Sequence, residues 1–123
     1  MRLLLVIIAM LVGASIQTSA QDAATKTLEF EAEQAKKQYS DCLSNETKRA
    51  APRKMSRQSF VVFIKGVCLN DQSLFRNALI KVFARNRNMD QHTVYATIDG
   101  VIADSIDNFA SIYVDLKSGP KQR

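Results

Sequence analysis

Two cysteines, Cys42 and Cys68, stand 26 positions apart, and the chain holds no others. Each lies in a run of apolar residues at helical spacing. Joined, they pin two amphipathic segments together at one point. Unjoined, those segments must find each other by packing alone. Compartment decides which, because thiols stay reduced in the cytosol and oxidise outside it.

The first twenty residues bear on compartment. Arg2 is a short positive segment, Leu3 to Val12 is an unbroken apolar run, and Thr18-Ser19-Ala20 supplies small residues for cleavage after Ala20. That is the pattern of a secretory signal peptide. The rival reading is a membrane anchor, which needs about 20 apolar residues; here polar residues begin at Ser15. The expectation is a signal peptide over 1–20 and one domain over 21–123 with flexible ends. No transmembrane segment remains after cleavage, and the location is periplasmic or secreted. There a Cys42–Cys68 disulfide is the default, with a free thiol or an intermolecular bond as alternatives. Closing a loop of this length is worth about 3.5 kcal/mol by chain entropy. A metal site is disfavoured, since two cysteines and one histidine do not make four ligands. No cofactor is expected.

From Thr25, the residues Leu28, Ala32, Ala35, Tyr39, Cys42 and Leu43 trace one face of a helix. Phe30 lies off that stripe. Asn45 to Met55, containing Pro52, reads as the main connection, with Ser44 and Asn45 as terminators. Ser56 suits an N-cap. The stretch Ser56–Arg87 then carries four of the six phenylalanines and organises the rest. Phe60, Phe63, Ile64, Val67 and Cys68 form an apolar stripe that Leu74, Phe75, Ala78, Leu79, Val82 and Phe83 resume, keeping phase (Ile64, Cys68, Phe75, Leu79, Val82) through a polar patch at Asn70. That phase favours one long helix bent at Asn70 over two helices. Val61 and Val62 widen its apolar face. Asn88 or Asp90 caps a last helix whose face is marked by Val94, Ile98, Val101, Ile102, Ser105, Ile106, Phe109, Ile112, Tyr113 and Leu116. Strands are the rival there, but no period of two is present. The expected fold is all-α: a small antiparallel bundle of three or four helices with one disulfide. One tension attends it. With the first helix ending near Cys42, the second must overshoot it by about 15 Å for Cys68 to reach.

Charge is arranged acid–base–acid. Residues 48–87 hold ten Lys or Arg and a single acid, Asp71, whereas six acids oppose three lysines over 21–47. The favoured explanation is a basic middle lying against acidic neighbours. The other is a basic loop, Lys48, Arg49, Arg53, Lys54 and Arg57, facing an anionic partner. Nucleic acid is not that partner, because the nearby aromatics fall on the core stripe and leave no stacking platform. Asn45-Glu46-Thr47 is a formal glycosylation sequon.

No catalytic constellation is visible. His92, the single histidine, has no nucleophile set beside it and reads as a surface residue. Ser118-Gly119-Pro120-Lys121 matches a serine–lysine pattern only formally, without the companion motifs. Tyr39-Ser40-Asp41-Cys42, followed by Cys68 inside an apolar helix, resembles a loose set of small exported two-cysteine helical proteins of Gram-negative bacteria. The resemblance covers roughly residues 35–83. It implies a periplasmic helical domain and carries over no catalytic residue. The two-cysteine acid-stress chaperones of the periplasm are similar in size and class, with wider cysteine spacing. The leading expectation is a non-enzymatic module that binds a protein partner in the cell envelope, through Phe30 or the basic loop. A binder of lipid headgroups or acidic glycan through residues 48–57 comes second, and a small enzyme third.

Overall fold

In the computed structural model, the backbone is described for residues 2–85 and 88–119, and the side chains for 22–85 and 88–119. The signal-peptide reading of 1–20 therefore rests on side chains outside the described residues, as does the tail from Pro120. Among the described residues there are four helices and no strand: α1 (Arg2–Ala50), α2 (Arg57–Val67), α3 (Leu69–Phe83) and α4 (Gln91–Lys117). Over residues 22–85 and 88–119, no helix is long and apolar enough to cross a membrane. The all-α bundle follows the helical period of its apolar residues.

α1 does not stop at Ser44 or Asn45. It runs on to Ala50, and Pro52 falls in a short 3-10 turn, Ala51–Arg53. The stripe explains the extension: Tyr39, Leu43, Thr47 and Ala50 are all buried and recur at helical steps. Thr47 is 1% exposed, and its hydroxyl donates to the Leu43 carbonyl of the preceding turn. Tertiary burial outweighs the weak local preference of Asn and Ser against helix. The sequon at Asn45 thus lies in a helix with its threonine buried, unlike the surface loop in which such sites are used.

The longer α1 removes the overshoot. Cys42 sits eight residues before the end of α1, about 12 Å of helix, so a close hairpin brings it level with Cys68. The Cys42–Cys68 bond is formed, with Cα atoms 5.9 Å apart. The hairpin is tight enough that Lys54 takes a left-handed conformation, φ 50°, with its N–H on the Ala51 carbonyl. Ser56 then caps α2, accepting from the Ser59 N–H at 3.1 Å.

The middle stretch is two helices, not one, and the bend falls at Cys68 rather than Asn70. Cys68 leaves helical geometry (φ −103°, ψ 16°), while the hydrogen bonds on either side continue: its N–H reaches Ile64 and its carbonyl accepts from Gln72. The bend gives the two halves different neighbours. α3 lies along α1, with Tyr39 and Phe75 rings 5.9 Å apart, and α2 lies along α4. Val62, expected to widen the core face, is 74% exposed as a result. In α4 the buried face is Val94, Ile98, Ile102, Ile106, Ala110 and Tyr113, while Val101, Ile112 and Leu116, expected on that face, are exposed. Gly66 and Gly100 meet nothing within 4 Å, so neither serves a close helix approach.

Tyr39 is buried in the core against Phe75, and burial pushes its phenol up to about 12. An unfolded tyrosine titrates near 10. Between those values the folded chain keeps a proton that the unfolded chain releases, so stability falls as pH rises through that window. Urea unfolding across it should show this slope in the wild type and a smaller one in Tyr39→Phe. Equal slopes would remove Tyr39 as the cause.

Candidate functional site

The five basic residues do gather at one end of the bundle, but not as a loop. Lys48 and Arg49 occupy the last turn of α1, where cations complement the helix dipole. Arg53 belongs to the 3-10 turn, and Arg57 opens α2. Only 54–56 lie outside a helix. Three of the five charges are engaged within the fold. Arg49 pairs with Glu46 at 3.3 Å. The Arg53 guanidinium stands 5.5 Å from the centre of the Phe63 ring. Arg57 reaches across to Asp107 on α4. Arg76 does the same with Asp99 at 2.9 Å. The basic middle thus meets the acidic last helix at two points, as the acid–base–acid order suggests.

His92 is exposed in the first turn of α4. Asp90 beside it is spent as the helix cap: the Thr93 N–H at 2.8 Å, with the Thr93 hydroxyl, holds its carboxyl below the usual range. Among the described residues, no group of three or more His, Cys, Asp or Glu is placed to hold a metal.

Grooves run between the helices. One, of about 500 Å3, lies between the bent α2–α3 arm and α4; Ile102 and Ile106 line it and Arg57 and Asp107 edge it. Another, of about 290 Å3, holds Phe83, Met89 and Val94 under Tyr95, whose hydroxyl accepts from the Gln91 amide at 2.8 Å. A third, of about 400 Å3, separates α1 from α3. None of the three is lined by Ser, Thr, Cys or His.

The α1–α3 groove differs in its edges. Phe30, on α1, is 65% exposed, and Leu74, on α3, is 49% exposed. Ala35 and Ala78 line the groove, with Gln34, Gln38 and Asn77 around it and Glu31 and Lys81 on opposite helices. Comparison with protein-family models, with curated proteins and with solved structures finds no match.

Phe30 stood out in the sequence because it breaks the stripe. Leu74 did not, because its spacing fits the core stripe of an unbent helix. The bend at Cys68 turns α3, and Leu74 ends beside Phe30 on the outer surface.

Proposed function

We propose that this chain is an exported, disulfide-braced helical module that binds a protein partner on the α1–α3 face and carries out no catalysis. One observation carries the reading: a phenylalanine 65% exposed, next to a half-exposed leucine, over a groove with alanines in its lining. A protruding ring beside a hollow is the form of a binding anchor, since aromatic residues dominate interface energetics. An apolar cluster with a polar rim marks an interaction site more often than a lone exposed apolar residue does. The basic end is a weaker candidate, because the fold itself occupies Arg49, Arg53 and Arg57. Export is supported by the leader pattern and by the disulfide.

The test places a photoreactive phenylalanine analogue at Phe30, and in a control chain at Asp104 on the exposed side of α4. Irradiation in the producing cell should give a discrete protein adduct from the first and not the second. Equal adduct formation from both, or none from either, would end the proposal.

A further inference from the structure

We infer that the occupant of the Phe30 face is a second copy of this chain, docked about a two-fold axis with α1 of one copy across α3 of the other. The inference rests on the reading of this face as a protein-binding surface and names the partner.

A two-fold interface uses the same patch on both copies, so the patch must complement itself. This one does so in shape. Phe30 projects from the α1 edge, and Ala35 and Ala78 line the hollow between α1 and α3. A ring from each copy can enter the hollow of the other. It also does so in charge. Glu31 on α1 and Lys81 on α3 both border the groove, and neither forms an ion pair among the described residues. Under a two-fold axis each Glu31 faces the Lys81 of the other copy. α1 from Asp22 to Glu46 carries six acids against three lysines, whereas on α3 Arg76 is held by Asp99 and Lys81 borders the groove. Crossing α1 over α3 sets Glu31 against Lys81 on both sides of the axis, which favours encounter and fixes register.

The formal net charge of +5 becomes +4 without Arg2, which leaves with the leader, so two copies repel in most orientations. The basic end, with Lys48 and Lys54 unpaired among the described residues, opposes self-contact most. The Phe30 face is charge-balanced by Glu31 and Lys81, and approach there is opposed least. A different protein would need no such balance.

Sedimentation of the oxidised protein, as its host processes it, should give a two-chain mass. Phe30→Asp should give a one-chain mass with the helical circular dichroism unchanged, because the ring is mostly outside the fold. Glu31→Lys and Lys81→Glu should each weaken association about tenfold or more, on the scale of close interfacial charge pairs. The double exchange, Glu31→Lys with Lys81→Glu, should restore it, because only self-pairing turns two reversed charges into a matched pair. If Phe30→Asp fails to fold, the charge series decides alone. A one-chain mass for the wild type overturns the inference, as does a dimer that ignores Phe30→Asp, Glu31→Lys and Lys81→Glu alike. A one-chain wild type that still gives a heterologous adduct from Phe30 loses the second copy and keeps the binding face. Without an adduct, both are lost.

Discussion

Reduction of the Cys42–Cys68 bond is expected to lower the free energy of unfolding by about 3.5 kcal/mol, the chain-entropy value for this loop. The bond joins positions 26 apart in the sequence. Small domains hold together by only about 5–15 kcal/mol, so the loss is a large fraction of the total. The position of the bond adds a structural effect. Cys68 is where α2 ends and α3 begins, and the bond fastens that bend to α1. Apolar packing on both sides, Tyr39 on Phe75 and Leu43 in the core, should keep the reduced chain helical. Urea unfolding of the wild type, oxidised and reduced, and of a Cys42→Ala, Cys68→Ala chain checks this. The midpoint should fall in both reduced forms. The denaturant dependence should steepen, because an uncrosslinked unfolded chain exposes more surface. An unchanged midpoint would show that the bundle does not depend on the bond.

The helical class was legible because helical spacing survives without knowledge of neighbours. Ile98, Ile102, Ile106 and Tyr113 fall on one face at any level of analysis. The end of α1 was hidden by Ser44, Asn45 and Pro52, which read as terminators, and by Thr47. A polar residue in a core stripe reads as the end of the stripe, yet here its hydroxyl bonds back into its own helix and the residue is buried. The bend at Cys68 was hidden for a different reason. The hydrogen bonds and the phase of the stripe both run through it, so no local signal separates α2 from α3. Only the change of neighbours, α4 for one half and α1 for the other, gives the bend a purpose. The candidate face inherits that difficulty, since Leu74 joins Phe30 on the surface only once the bend is made. The charge order was informative in outline, and Arg57 and Arg76 do meet Asp107 and Asp99. Which of the five basic residues the fold engages depends on where α1 ends, so the sequence alone did not separate Arg49, Arg53 and Arg57 from Lys48 and Lys54.

Replacing Tyr113 should have a larger effect than any surface change, because it serves the core and the hairpin at once. Its ring is fully buried and lies parallel to Phe60, centres 4.1 Å apart. Its hydroxyl accepts from the Met55 N–H at 2.7 Å and donates to the Ala50 carbonyl at 3.4 Å. Those groups stand on either side of the 3-10 turn, where helix geometry leaves backbone donors and acceptors without partners. Lys117 adds a bond to the Met55 carbonyl at 3.1 Å. The end of α4 therefore completes the backbone of the α1–α2 hairpin, 58 residues earlier in the case of Met55. Tyr113→Phe keeps the stacked ring and strands both backbone groups, at a cost of about 1–3 kcal/mol. Tyr113→Ala also opens a cavity against Phe60 and should cost about 3–5 kcal/mol, enough to unfold much of a marginal population. Urea unfolding separates the two variants. Amide exchange gives the sharper reading: at Met55 it should quicken in Tyr113→Phe while the amides of Ile98 and Ile102 follow only the global change. If the Met55 amide exchanges no faster than in the wild type, the hydroxyl is not what holds the hairpin, and the cost of Tyr113→Ala is packing alone.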